Sequence, residues 1–290
     1  MGHQFNSLKV FSKIDDMRTA SRAARREGKR VGLVPTMGAL HDGHLSLVRA
    51  ARAASNVVAA SIFVNPTQFG PNEDLAKYPR SFERDCQMLA GEGVDFVFAP
   101  PVEEMYLAGA VTWVTVEELS CKLDGRSRPG HFRGVTTVVS KLFHIVEPDL
   151  AFFGQKDAAQ VAIIRRMVRD LNLPVEIVVC PIVREADGLA LSSRNAYLSP
   201  EQRKQALVLH RTLMRVQEMV DAGERKAEVL VAAGREEFRG EPAVRLDYLE
   251  VVNPATLDPV DDVASGALVA VAAYVGTTRL IDNVLVKRST

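Results

Sequence analysis

Through the first half of the chain, short apolar runs alternate with amphipathic stretches rich in Ala and Arg. The runs Val31 to Val34, Val57 to Val64, Val94 to Phe98, Ala151 to Phe153 and Val175 to Val179 read as strands. Between them, Leu45 to Ala54, Ser81 to Gly91, Val135 to Ile145 and Ala158 to Leu171 carry apolar residues at helical spacing. Strand and helix in alternation predict βα units, and so an α/β fold on an open, doubly wound parallel sheet. After Glu185-Ala186-Asp187-Gly188 the texture changes. Two helical stretches follow, Pro200 to about Ala222 and Glu224 to about Phe238, and then two or three apolar strands, the candidates being Val244 to Val251, Leu268 to Tyr274 and Arg279 to Val286. Strands grouped after helices predict a separate, smaller α+β domain. The expected domains are 1–184 and 185–290, with the boundary near residues 183–187.

Composition narrows the function. The 290 residues carry 36 basic and 36 acidic side chains, so the chain has no long-range field to draw it onto nucleic acid or an anionic membrane. An anion site must be local. The basic run from Arg18 to Arg30 has no interleaved aromatics and suits the solvated face of an N-terminal helix. The three cysteines, Cys86, Cys121 and Cys180, lie far apart in no CxxC pair, which suits a reducing cytosol and neither a disulfide framework nor a zinc site. No segment approaches the length needed to cross a bilayer and none has the pattern of a signal peptide, so a soluble, cytoplasmic protein is expected.

The richest segment is Met37-Gly38-Ala39-Leu40-His41-Asp42-Gly43-His44, between the first of these strands and a helix expected from about Leu45. Open α/β sheets bind nucleotides at such junctions. Backbone N–H groups at the helix start favour anions, Gly38 and Gly43 let phosphate approach the chain, and two imidazoles three residues apart can face one phosphate. Gly154-Gln155-Lys156-Asp157 repeats the strand-to-helix arrangement with a lysine whose charge can neutralise phosphate oxygens. Leu191-Ser192-Ser193-Arg194 offers hydroxyl donors and a guanidinium fork beside the expected domain boundary, where a polyphosphate could be held. Asn65 and Gln68, where a strand turns into a loop, can bind hydroxyl or carboxylate groups of a small ligand. The chain contains no GxxxxGK[ST], no GxGxxG after a strand, no HExxH and no GxSxG, which demotes the chemistries those motifs serve.

In this order and spacing, PTMGALHDGH, IFVNPTQF, HFRGV, FFGQKDAAQ and LALSSRN resemble the pantothenate synthetase family, within the HxGH nucleotidyltransferase superfamily, over nearly the whole chain. The resemblance implies a Rossmann-like first domain and a cytoplasmic homodimer. It implies condensation of D-pantoate with β-alanine at the expense of ATP, giving pantothenate, AMP and pyrophosphate through a pantoyl adenylate, with Mg2+ on the phosphates. It further implies that Met37 to His44 bind ATP, with His41 and His44 on phosphates and His44 the proton donor. Gly154 to Asp157 would hold ribose and phosphates, with Lys156 on the charge at the α-phosphorus. Val183 would touch adenine, Leu191 to Arg194 would close over the β- and γ-phosphates, and Gln68 and Gln160 would hold pantoate. Asn65, Tyr78, Arg128 and His131 are expected in the pocket wall or lid. No protein ligand is assigned to the metal. Asp85 is singled out for inspection, although Arg84 stands beside it where some relatives are acidic. Gln155, Ala158-Ala159 and Leu191 also depart from the family pattern, none by removing a charged or catalytic group. An adenylyltransferase acting on a phosphate ester would want a basic second pocket, where Asn65, Gln68 and Gln160 supply amides. A nucleotide-binding regulatory module would leave those amides unexplained.

Overall fold

A computed structural model describes residues 8–71 and 73–287, which divide into two units. The first takes the described residues up to Ser120 together with Pro129–Gly154 and Ile163–Cys180. The second takes Cys121–Arg128, Gln155–Ala162 and the described residues from Pro181 onward.

Six parallel strands form the sheet of the first unit: β1 (Lys9–Phe11), β2 (Val31–Thr36), β3 (Val57–Ile62), β4 (Phe96–Phe98), β5 (Leu150–Gly154) and β6 (Glu176–Cys180), in the order β1-β4-β3-β2-β5-β6. The chain moves outward from β2 to β3 and β4, then returns to β2's other side for β5 and β6. The topological switch point of this doubly wound sheet therefore lies between β2 and β5, where α/β proteins place their ligands. Val31, Leu33 and Val34 are buried without residual exposure, which is why β2 reads as a continuous apolar run. Pro35 is tolerated inside β2 because the pairing with β5 reaches only Gly32 and Leu33. The first unit's helices are α1 (Ile14–Arg26), α2 (Asp42–Ala54), α3 (Phe82–Gly91), the short α4 (Val102–Met105) and α6 (His131–Val146); α5 (Asp124–Ser127) falls in the second unit, and α7 (Ala158–Asp170) is divided between the two. Leu47, Val48 and Ala51 of α2 pack with Val58, Ala60, Leu89, Val97 and Phe152 in one core.

Three differences from the sequence expectations have local causes. The three-residue edge strand β1 is too short to show a period. Helix α2 starts at Asp42 because the His41 side chain caps it, and α6 starts at His131 because Gly130, left-handed at φ 84°, turns the chain into it. The basic run from Arg18 belongs in part to the exposed face of α1, where Arg18 pairs with Asp15 and Arg22 with Glu147.

In the second unit, helices α8 (Pro200–Asp221) and α9 (Ala227–Glu237) cover an antiparallel sheet, β7-β8-β9, of Val244–Val252, Ala267–Val275 and Thr278–Val286. Ser199 and Gln202 form a reciprocal capping box with Pro200 at the first helical position, which explains the sharp start of α8. Leu213, Val216, Leu230, Leu249, Val269 and Val271 are central to this second core. The Cys121–Arg128 segment is fastened to this sheet by ions. Arg279 of β9 bridges Asp124 and Asp247 at 2.7 and 2.8 Å, Arg126 pairs with Glu250, and Ser127 donates to Asp247 at 2.7 Å. No described helix is long and apolar enough to cross a membrane.

One packing contact leads toward the site. A Cβ placed on Gly134 of α6 would stand 2.4 Å from the Thr67 carbonyl oxygen and 2.6 Å from the Gln68 nitrogen, both backbone atoms. Gly134→Ala should therefore lower unfolding stability by about 1–3 kcal/mol through overpacking, read as a lower urea midpoint with unchanged slope. An unshifted midpoint would mean the two backbones are not pressed together.

Candidate active site

The segment leaving β2 is shaped by its own side chains and by one carboxylate from α3. Thr36 Oγ1 donates to the Ser61 carbonyl at 2.6 Å and accepts from Gly38 N–H at 3.1 Å, tying the loop's start to β3. Gly38 and Ala39 both adopt positive φ, 79° and 51°, and a Cβ on Gly38 would lie 3.0 Å from Asp85. Asp85, 1% exposed, accepts the Ala39 N–H at 2.8 Å with one oxygen and the Leu40 N–H at 2.9 Å with the other, which also receives Ser81 Oγ at 3.1 Å. Two backbone donors at a strained turn are thus satisfied by one buried anion, a stronger bond than a neutral acceptor would give. This occupies Asp85 as a loop anchor and leaves it poorly suited to the metal-ligand role for which its sequence position drew notice. Beside it the Cys86 thiol is pushed up to about 11 by burial and then by the Asp85 charge, so it stays protonated at neutral pH.

At the end of this loop His41 becomes the cap of α2: its Nδ1 accepts from Gly43 N–H at 3.1 Å. An accepting Nδ1 carries no proton, so the neutral ring bears its proton on Nε2. The His41 and His44 rings lie 4.2 Å apart at 45°, making one two-imidazole unit at the helix start, where the macrodipole favours negative charge. Asp42 is the exposed acidic residue of that first turn.

Asn65 is fully buried, and its amide is consumed by the protein. Its Nδ2 donates to Gln68 Oε1 at 3.0 Å and to the Gly134 carbonyl at 3.2 Å; its Oδ1 accepts from Thr67 and, at 2.8 Å, from Tyr106 OH. The geometry makes Asn65 a support for Gln68 and gives it no hydrogen-bonding capacity to spare for a ligand. Gln68 in turn donates to Met37 Sδ at 3.2 Å, which ties the amide turn to the histidine loop. His131 Nδ1 lies 2.8 Å from the Gln68 carbonyl oxygen, and Tyr78, buried, packs edge-on to Phe69. These residues, from Met37 through His131, belong to the first unit.

The remaining sequence candidates, from Gln155 on, lie in the second unit, Gly154 being the last residue of β5. Gln155–Asp157 form a single 3-10 turn, half-buried, with Lys156 Nζ 3.4 Å from Asp157. Gln160, also half-buried, follows on α7. Residues 183–191 form a hairpin in which Leu191 N–H donates to the Val183 carbonyl at 3.0 Å, so the expected adenine contact and the first residue of the serine-arginine segment are paired. Arg184 fixes it, gripping Asp282 of β9 with both guanidinium nitrogens at 2.7 and 2.9 Å and donating to the Gly188 carbonyl at 3.0 Å. Ser192 Oγ caps the following 3-10 turn by accepting from Arg194 N–H at 3.2 Å, and Asn195 donates to the Ala190 carbonyl. Arg128 sits at the end of the Cys121–Arg128 segment.

Sequence reading overlooked Arg184 and Asp282, and it singled out Asp85 without finding its role as a loop anchor. A signal existed for the second: Asp282-Asn283 is a pair of adjacent polar residues inside an apolar strand, and polar groups buried there require partners.

Known proteins match this chain over nearly its whole length. The family model for pantoate-beta-alanine ligase matches residues 9–285. The pantothenate synthetase of Koribacter versatilis is 64% identical over 280 residues, covering 97% of this chain and 96% of the relative. The crystal structure of pantothenate synthetase from Thermus thermophilus superposes with a TM-score of 0.90 at 50% identity, covering 95% of this chain and 98% of that one. That of pantoate-beta-alanine ligase from Francisella tularensis, complexed with beta-gamma ATP and beta-alanine, superposes with a TM-score of 0.75 at 33% identity, covering 96% and 98%. With the histidine loop at the switch point of the parallel sheet and relatives of this identity over nearly its full length, the chain belongs to the pantoate-beta-alanine ligase family.

Proposed function

We propose that this protein joins D-pantoate to β-alanine with consumption of ATP, releasing pantothenate, AMP and pyrophosphate, in the biosynthesis of pantothenate. The observation that carries the reading is the two-imidazole cap at the C-terminal end of β2, with Gln68 tied to it through Met37. The complex of the Francisella tularensis relative with beta-gamma ATP and beta-alanine supports ATP and β-alanine as substrates here.

Two steps account for the products. A pantoate carboxylate oxygen attacks the α-phosphorus, the bond to the bridging oxygen breaks, and pyrophosphate leaves with that electron pair, giving pantoyl adenylate. The β-alanine amine then attacks the acyl carbon, AMP departs, and the nitrogen loses a proton. Both steps depend on alignment and on charge stabilisation more than on covalent help from the protein. Met37, Gly38, Ala39 and Leu40 form the turn over which the nucleotide lies, followed by Asp42 and Gly43 of the helix start. His41 and His44 donate to phosphate oxygens, His44 as the proton donor. Gly154, Gln155 and Asp157 hold ribose and phosphates, and Lys156 offsets the charge that grows at the α-phosphorus. Val183 borders adenine, while Leu191, Ser192, Ser193 and Arg194 take the β- and γ-phosphates. Gln68 and Gln160 bind pantoate, and Asn65 acts through Gln68.

Magnesium enters with the nucleotide as Mg-ATP, held by phosphate oxygens and water. Asp85, with both oxygens on backbone amides, contributes no ligand. We also assign the enzyme to the cytoplasm, where its free cysteines stay reduced, and to a homodimer; exposed Leu107, Val111 and Trp113 of the first unit are surface a second copy would cover.

The test of the reaction is incubation with Mg-ATP, D-pantoate and β-alanine. Equal amounts of AMP and pantothenate are expected, and AMP without pantothenate, or neither product from protein that binds ATP, would overturn the reading. His44→Ala and Lys156→Ala should each lower turnover at least 100-fold, about 2.7 kcal/mol of transition-state stabilisation; steady-state kinetics near those of the wild type would remove the residue from its role. Gln160→Ala should raise KM for pantoate more than for ATP, and equal rises would displace it from the pantoate site. In Asp85→Asn one backbone N–H meets an amide donor in place of an acceptor. The loop should loosen at a cost of about 1–3 kcal/mol in stability, with the Mg2+ concentration for half-maximal rate at saturating ATP unchanged. A tenfold higher Mg2+ requirement would make Asp85 a metal ligand after all.

A further inference from the structure

We infer that Asn283 of β9 is the positioning residue for Lys156, setting where its ammonium group stands when pantoyl adenylate forms. Asn283 is 3% exposed, in the one stretch of β9 where adjacent residues are both buried and polar. Its Nδ2 donates to the carbonyl oxygens of Gln155 and Lys156 at 3.0 and 2.9 Å, and its Oδ1 accepts from Gln155 Nε2 at 3.0 Å. Two carbonyls can only accept, so the amide orientation is fixed by chemistry, and both its donors and its acceptor are engaged on one three-residue turn. That turn lacks the hydrogen-bond ladder of a long helix. Lying between β5 and α7, it has two of its carbonyls held by this side chain from a strand 127 residues further along the chain.

Replacements of similar or smaller size would lose these bonds. A carboxylate would confront two carbonyl oxygens, leucine would leave all three turn groups unmatched, and serine is too short to span both acceptors. Asn283 itself is held in register by its neighbour: its N–H donates to Asp282 at 2.8 Å, and Asp282 is gripped by Arg184 of the 183–191 hairpin. One dipeptide of the last strand thus anchors both segments of the second unit that the reaction requires, the Lys156 turn through Asn283 and the hairpin through Asp282. Because Lys156 acts on a developing charge, a shift of its backbone by about 1 Å lowers the rate without weakening the binding of pantoate.

This inference rests on the role given to Lys156, and the experiment separates the two. Asn283→Asp keeps size and removes both donated hydrogen bonds; Asn283→Ala removes them without introducing charge and serves if the first variant does not fold, with thermal unfolding recorded for each. The rate of pantoate-dependent pyrophosphate exchange is measured for each variant alone and combined with Lys156→Ala. The expected result is an exchange kcat lower by about 10- to 100-fold, KM for pantoate within about twofold of the wild type, and almost no further loss when the substitution is added to Lys156→Ala, since the two act in series. A folded variant with wild-type kcat, or one whose loss is undiminished in the Lys156→Ala background, would overturn the positioning role while leaving Lys156 in place. Wild-type exchange by Lys156→Ala alone would overturn the role of Lys156 and this inference with it.

Discussion

A turn that must expose backbone groups to a phosphate needs its other backbone groups satisfied from behind, and in this protein buried polar side chains from distant elements meet that constraint. Asp85 of α3 accepts the Ala39 and Leu40 amides, Asn65 braces Gln68 against the Gly134 carbonyl, and Asn283 of β9 holds the Gln155 and Lys156 carbonyls. In each case the buried group has its hydrogen-bonding capacity matched, which avoids the cost of about 1–3 kcal/mol that an unmatched group carries. The same bonds fix loops that have no regular structure of their own. Rigidity at the site is therefore a by-product of satisfying buried polar atoms, and it suits a reaction in which alignment does most of the catalytic work.

Charge follows the same local logic. Over the whole chain the acidic and basic side chains cancel, so attraction for a polyanion has to be assembled at the site. In the first unit the start of α2, with its paired imidazoles, is the local feature that favours an anion. In the frame of the second unit, Arg184 is paired with Asp282, Arg279 with Asp124 and Asp247, and Arg203 with Glu185 and Asp187.

Much of this was legible in the amino-acid order because the relevant signals are local. Strands β2 and β3 are buried on both faces and read as apolar runs, α8 begins at a Ser-Pro capping signal, and the histidine loop declares itself through its glycines and its place after a strand. What escaped depends on contacts between residues far apart. Nothing around Asp85 indicates that its carboxylate faces a loop 45 residues earlier, so it read as a possible metal ligand. The Tyr106 and Gly134 groups that bond to the Asn65 amide lie about 40 and 70 residues away, so its supporting contacts have no local sign. The start of α2 was placed three residues late for a different reason: histidine is an unusual cap, and only the Nδ1 contact with Gly43 shows it acting as one. Asp282-Asn283 carried a visible sign, two polar residues in an apolar strand, but its partners could not be named from the strand alone.

The central claim is that these supports align ATP and pantoate so that an enzyme-bound acyl adenylate forms before β-alanine arrives. Exchange of labelled pyrophosphate into ATP, in the presence of Mg2+ and pantoate and with β-alanine omitted, tests it most directly. The account predicts exchange that requires pantoate and proceeds without the amine. Exchange that appears only when β-alanine is added, from enzyme that makes pantothenate normally, would mean that no free-standing adenylate step exists and would contradict it.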